Sequence, residues 1–314
     1  MTAAAPPSLL ERARSGDRRA LGRVLSVVEN EEPGAAEILR ETYAQAGRAV
    51  VIGITGPPGG GKSTLVSRLV GAYREDGSRV AVVAVDPSSP FTGGAILGDR
   101  VRMQQRALDD GVFIRSMASR GHAGGLSRTT ARVVTVLDAL GTAVVIVETV
   151  GVGQEEVDVV RVADTVVLVM VPGLGDDIQA IKAGVLEIAD VLVVNKADRP
   201  GADDAARDLA QMLTLGKGRT PWKPPIVRTS ATTGEGLQDL VAAIARHRAW
   251  AAESGEHDRR RAGAARAEVE AVLREALVRR LADRIGRDRL ERVVERVARR
   301  EVDPYAAVDE LLAE

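Results

Sequence analysis

The chain has 314 residues, 45% of them hydrophobic but only 2% aromatic, which suits one large α/β domain with helical additions and a core of Val, Leu, Ile and Ala. A formal net charge of −1, with the Arg-rich stretches interleaved by Glu and Asp, removes the electrostatic case for nucleic acid or an anionic membrane as partner. The lack of cysteine excludes disulfides and thiolate chemistry, and three histidines at unrelated spacings argue against a histidine metal centre.

In residues 1–47 the apolar positions recur at helical spacing: Leu9, Leu10 and Ala13, then Leu21, Val24, Leu25 and Val28, then Ile38, Leu39 and Tyr43. They predict an N-terminal helical extension, broken near Glu31 to Gly34. Met1 to Asp17 lacks an apolar signal region, and no apolar run approaches the roughly 18 residues of a membrane span. A cytoplasmic protein is expected. From 48 to 253, short apolar runs alternate with helical stretches: Val50 to Thr55, Arg79 to Val85, Val112 to Ser116, Thr142 to Val147, Thr165 to Val171, Val191 to Asn195 and Pro225 to Thr229. This alternation predicts an α/β fold with a mainly parallel sheet covered by helices. Residues 254–314 read as a C-terminal helical arm. After a break at Gly255 to Arg261, Val269, Leu273, Leu277, Leu281 and Ile285 make a four-residue ladder that needs a surface to pack on, with a partner subunit preferred. Leu290, Val293, Val294 and Val297 continue the pattern after Gly286. Asp303 and Pro304 open a last helix as N-cap and first-turn proline.

Three motifs fall at the carboxyl ends of the expected strands, where ligands of such sheets sit. Gly56-Pro-Pro-Gly59-Gly60-Gly61-Lys62-Ser63, followed by Thr64, has the phosphate-loop pattern in a strand-loop-helix context. Its glycines allow a concave row of backbone N–H groups at a helix N-terminus, Lys62 should reach the β- and γ-phosphates, and the Ser63 hydroxyl should ligate Mg²⁺. Asn195-Lys196-Ala197-Asp198 selects the base. Guanine offers two adjacent donors that one carboxylate, Asp198, accepts together; Asn195 would hold the loop and contact the base, and the stem of Lys196 can cover a ring face. Ser230-Ala231 fits the last loop on the guanine side. GTP or GDP with Mg²⁺ is the expected ligand.

Between these motifs lie the segments expected to read the γ-phosphate. Asp86 ends a strand and Asp99 lies in a glycine-rich loop, and both are candidate carboxylates for Mg²⁺. Glu148-Thr-Val-Gly151 has the form of a switch loop with glutamate in place of the usual aspartate, and the Gly151 N–H could sense the γ-phosphate. Gly151 is followed by Val152 where many GTPases place a water-orienting glutamine, so slow intrinsic turnover, accelerated by a partner, is expected. In the loop from Pro172, Gln179 and Lys182 share a helix face, while Asp176 and Asp177 suit helix capping equally well. Only five positive residues are lysine (62, 182, 196, 217 and 223), the rest being arginine, so the lysines are candidates for roles that arginine does not fill.

The segments DPSSPFTGGAILGDRVRM, ETVGVGQ and VPGLGDDIQAIKAG, with GPPGGGKST and NKAD, resemble the MeaB/ArgK family of metallochaperone-like P-loop GTPases associated with methylmalonyl-CoA mutase, from roughly residue 20 to near the C-terminus. The resemblance implies a homodimeric GTPase that docks on an adenosylcobalamin-dependent acyl-CoA mutase, gates cofactor loading and protects or rescues the mutase. It implies Mg²⁺ contacts from Ser63, Asp86, Asp99 and Glu148, a partner-responsive segment from Asp176 to Lys182, and a dimer arm formed by the C-terminal helices. Two other classes share the nucleotide core. A nickel-insertion GTPase would be expected to carry cysteine or clustered histidine, and a transport-linked kinase would need an acceptor site and a base aimed at it; neither feature is visible in the sequence.

Overall fold

A computed structural model describes residues 8–87, 108–119, 125–149, 162–173, 183–215 and 221–313. The chain divides into two compact units, Met1–Asp258 and Arg259–Glu314.

The first unit opens with helices α1 (Leu9–Arg14), α2 (Arg18–Glu29) and α3 (Ala35–Tyr43). Ser8 and Glu11 form a reciprocal capping box on α1, and the Asp17 carboxylate accepts from the N–H groups of Arg19 and Ala20 to start α2. Among the described residues seven strands follow, β1 (Val50–Thr55), β2 (Val80–Pro87), β3 (Val112–Ser119), β4 (Val144–Thr149), β5 (Thr165–Met170), β6 (Val191–Val194) and β7 (Ile226–Arg228), with α4 (Lys62–Glu75), α5 (Gly125–Ala139), α6 (Ala183–Ile188), α7 (Ala202–Leu215) and α8 (Leu237–Glu253) between and after them. All pairings are parallel, in the order β3-β2-β4-β1-β5-β6-β7.

The sheet is buried on both faces, and strand alternation divides the core. Ala81, Val83 and Val85 of β2 face Val24, Leu25 and Val28 of α2 and Val133 and Leu137 of α5. Val80 and Val82 turn the other way, toward a layer with Ile52 and Ile54 of β1, Leu65 and Leu69 of α4 and Leu240 and Ile244 of α8. Each such fully buried aliphatic side chain contributes about 1.5–3 kcal/mol relative to exposure, which explains why the strands read as continuous apolar runs. Three carboxylates hold the amino ends of the strands: Asp138 accepts from Ala49 N–H at 3.0 Å, Asp164 from Val51 N–H at 2.9 Å and Asp190 from Val166 N–H at 2.9 Å.

Two local expectations need correction. Tyr43, expected on the packed face of α3, is 67% exposed, and its neighbour Thr42 is fully buried instead, its hydroxyl donating back to Ile38 O at 2.8 Å. A hydroxyl satisfied inside its own helix buries at little cost, whereas a tyrosine ring needs a larger slot. The expected break over Gly255 to Arg261 is confined to Ser254 and Gly255, since Gly255 takes φ 71° and α9 (Glu256–Ile285) starts at once.

The second unit takes up most of α9 and continues with α10 (Arg287–Ala298) and α11 (Pro304–Leu312). Val293, Ala307 and Leu311 form its small core, flanked by Ile285, Val297 and Val302. The first three positions of the α9 ladder stay in solvent, with Val269 66%, Leu273 56% and Leu277 50% exposed, whereas Leu281 is half-buried and Ile285 packs against the small core. Asp303 caps α11 by accepting from Tyr305 N–H at 2.9 Å and Ala306 N–H at 3.1 Å, with proline in the first turn. Asp303→Ala is expected to cost about 1 kcal/mol of local helix stability, seen as faster amide exchange in 304–312, with the nucleotide domain unchanged; unaltered exchange there would show the cap to be idle. Among the described residues no helix is long and apolar enough to cross a membrane.

Candidate functional site

Parallel register brings the motifs to one edge of the sheet. Ile54 pairs with Glu148, Met170 with Val194 and Val194 with Arg228, so the segments that follow β1, β5, β6 and β7 emerge side by side, with the end of β4 next to them.

The phosphate loop runs from Gly56 to the start of α4. Gly56 has φ 136°, and a Cβ there would meet Val169 O at 2.1 Å; Gly61 has φ 82°, and a Cβ there would lie 2.5 Å from Asn195 Nδ2. Both positions therefore require glycine. The Lys62 ammonium tucks beneath the loop, donating to Gly56 O at 2.6 Å and Pro57 O at 3.1 Å, so its stem is fixed before any phosphate arrives. Ser63 is buried and donates its hydroxyl to Glu148 Oε1 at 2.7 Å, and Glu148 is fully buried at the end of β4. A hydroxyl and a carboxylate in contact at a helix N-terminus are a hard oxygen donor set of the kind Mg²⁺ takes, so the residues present fit that ion. Thr64 follows on the exposed side of the helix.

Asn195 joins three loops. Its Nδ2 donates to Gly60 O at 2.8 Å, and its Oδ1 accepts from Ala231 N–H at 3.1 Å and from the Thr229 hydroxyl at 3.2 Å. Lys196, at φ 58°, lays its ammonium on Gly59 O at 2.8 Å, a second tie from the guanine loop to the phosphate loop. The Asp198 carboxylate remains exposed; a hydrogen bond from the Ser230 hydroxyl, and then its own backbone N–H, hold its pKa below the ordinary carboxylate value. The depressed value keeps this acceptor ionised to lower pH than a free aspartate. The Ser230 strap closes on itself, with Ser230 and Glu235 paired through Ser230 N–H to Glu235 O at 3.0 Å.

Asp99, Gly151, Gln179 and Lys182 lie outside the described residues, as does the Asp86 side chain, although β2 carries Asp86 toward the same edge, paired in register with Ala118 of β3. One participant was invisible to sequence reasoning. Arg68 of α4 donates Nε to Ala231 O at 2.9 Å and Nη2 to Thr232 O. Nothing in an arginine on an amphipathic helix signals a bond 163 residues further along the chain.

An all-parallel sheet with a strand-loop-helix phosphate loop and an adjoining asparagine-lysine-x-aspartate loop defines a P-loop GTPase. The chain belongs to the MeaB family, whose model, described as methylmalonyl-CoA mutase-associated GTPase MeaB, matches residues 21–285. A Pyrococcus abyssi protein whose name is "Putative GTPase" is 48% identical over 309 residues, 98% of this chain and 95% of its own. GTPase ArgK of Escherichia coli is 37% identical over 243 residues, 75% of this chain and 73% of its own. The crystal structure of a LAO/AO transport system kinase superposes with TM-score 0.71 at 26% identity, covering 96% of this chain and 95% of that one. The family is one of GTPases, and guanine nucleotide binding comes with it.

Proposed function

We propose that this GTPase serves as a chaperone for an adenosylcobalamin-dependent acyl-CoA mutase in the cytoplasm, coupling GTP hydrolysis to cofactor delivery and to protection or reactivation of the mutase. The observation that carries this reading is the match of a mutase-associated family across residues 21–285. In the proposed site the loop N–H groups from Gly59 to Thr64 and the Lys62 ammonium receive the phosphates. Asp198 accepts both guanine donors, the Ser230-Ala231 loop closes the base side, and Asn195 keeps the two ends of the nucleotide in register. Ser63 and Glu148, with Asp86 and Asp99, would hold Mg²⁺, which when bound offsets negative charge on the β- and γ-phosphates. The Gly151 N–H would sense the γ-phosphate, and Gln179 and Lys182 would respond to the docked mutase.

The exposed stripe of Val269, Leu273 and Leu277 on α9 supports a homodimer built on the C-terminal helices, since three apolar residues at four-residue spacing are costly to leave in water.

The test is GTP turnover at saturating nucleotide with and without purified mutase, read as free inorganic phosphate. Acceleration of about tenfold or more, a barrier drop of about 1.4 kcal/mol, with co-elution of the two proteins, is the expected result. Lys182→Ala should keep basal turnover within about threefold and lose most of the acceleration. Unchanged turnover together with separate elution would overturn the mutase reading while leaving the GTPase intact.

A further inference from the structure

We propose that Arg68 is a positioning residue for guanine recognition: its guanidinium, forked onto the carbonyls of Ala231 and Thr232, clamps the Ser230–Thr232 loop to the helix that starts at the phosphate loop. The inference rests on the guanine-site reading given above.

The loop is gripped from two sides. Asn195 Oδ1 takes the Ala231 N–H at 3.1 Å, and Arg68 Nε takes the Ala231 carbonyl at 2.9 Å, so one peptide segment is fixed by both its donor and its acceptor. Nη2 of the same guanidinium reaches Thr232 O, which sets the direction of the chain one residue further on. A planar fork on two successive carbonyls fixes orientation as well as distance, which a single ammonium does not. Ala197, next to Asp198, donates its N–H at 2.9 Å to the carbonyl of Thr229, which immediately precedes the clamped loop. Displacement of the loop would therefore disturb the backbone that carries Asp198.

The position of Arg68 in α4 gives the clamp its use. Ser63 and Lys62 occupy the first turn of that helix, and Arg68 lies five residues after Ser63 on the same rigid rod. Asn195 and Lys196 tie the guanine loop to Gly60 and Gly59, and Arg68 ties the remaining base-side loop to the helix leaving the phosphate loop. The base-side loops are thus tied both to the phosphate loop itself and to the helix that leaves it. Arg68 itself is exposed, so its backbone bonds form at the surface and serve the loop more than the core.

The test is calorimetric titration of wild type, Arg68→Ala and Arg68→Lys with GDP and, separately, with magnesium tripolyphosphate, which probes the phosphate loop alone. Arg68→Ala is expected to bind GDP about tenfold more weakly, the worth of one to two charge-assisted hydrogen bonds at a partly wet site, and to bind tripolyphosphate within twofold of wild type. Inosine diphosphate, which lacks the exocyclic amine, should lose less than GDP does. Equal losses for GDP and tripolyphosphate would make Arg68 a general structural residue, and unchanged GDP affinity would remove its role altogether; either overturns the proposal. Should the alanine variant fail to fold, Arg68→Lys decides, with an expected loss of about threefold or more for GDP alone; wild-type affinity would then overturn it. Asp198→Asn runs alongside as control. If that variant also binds GDP normally, the guanine-site reading itself fails, which is a different result from a weakened Asp198→Asn beside an unaffected Arg68→Ala.

Discussion

Glu148→Gln is expected to lower single-turnover GTP hydrolysis by about two to three orders of magnitude while GDP affinity falls by less than about tenfold. Glu148 is fully buried at the end of β4, opposite Ile54 in the sheet register, and accepts the Ser63 hydroxyl at 2.7 Å. Glutamine keeps the volume and offers a carbonyl oxygen to the same hydroxyl, so the local packing survives. What it removes is one negative charge from a water-excluded position beside the phosphate loop. There a charge acts through a low dielectric and its effect is large. If Glu148 helps hold the divalent ion, the loss falls chiefly on the step in which charge shifts along the phosphates, and the Mg²⁺ dependence of GDP binding flattens. Phosphate release and calorimetry with and without Mg²⁺ measure the two quantities. Equal losses in both, or none, would make Glu148 a structural carboxylate whose task is to seat Ser63.

Where a physical requirement is local and repeats along the chain, the sequence exposes it. The strand positions were legible because a sheet covered on both faces makes each strand a short apolar run, as Val80 to Val85 and Val191 to Val194 show. The phosphate loop was legible because Gly56 and Gly61 hold positive φ against close neighbours and admit no other residue. Long-range polar contacts leave no such trace. Asp138, Asp164 and Asp190 are ordinary acids in sequence, yet Asp164 and Asp190 accept backbone N–H groups of the neighbouring strands β1 and β5, and Asp138, from the end of α5, accepts that of Ala49 just before β1. Likewise, His247 could be read only as a lone histidine. It is fully buried, with Nδ1 at 2.9 Å from the Thr165 hydroxyl and Nε2 at 3.2 Å from Asp190, and its ring lies edge-on to Trp222. Such clusters lie at the amino ends of β5 and β6, away from the motif edge, and serve packing. Tyr43 and Thr42 show the remaining limit. Helical periodicity gives the direction of a face to within a residue, and side-chain size then decides which neighbour is buried.

The largest change in specificity is expected from Asp198→Asn. The carboxylate is exposed, with its pKa depressed first by the Ser230 hydroxyl, and in the proposed site it accepts the N1–H and the exocyclic amine of guanine together. Asparagine keeps one acceptor and turns an NH₂ toward the other donor. Losing one of these bonds and setting the NH₂ against a guanine donor, at about 1–3 kcal/mol each, should weaken GDP by at least about thirtyfold. Xanthine carries a carbonyl where guanine carries the amine, so the same NH₂ gains a partner and xanthosine diphosphate should bind the variant better than it binds wild type. The substitution leaves a surface position uncharged and touches no core residue, so thermal stability should be nearly unchanged and the affinity change is a change of recognition. In wild type, guanine affinity should decline at lower pH than an unperturbed aspartate would give, because a depressed pKa keeps the acceptor charged further into acid. Paired calorimetry of GDP and xanthosine diphosphate on both proteins decides the matter. A variant that binds GDP as wild type does, or gains nothing for the xanthine nucleotide, would show that the base is read by some group other than Asp198.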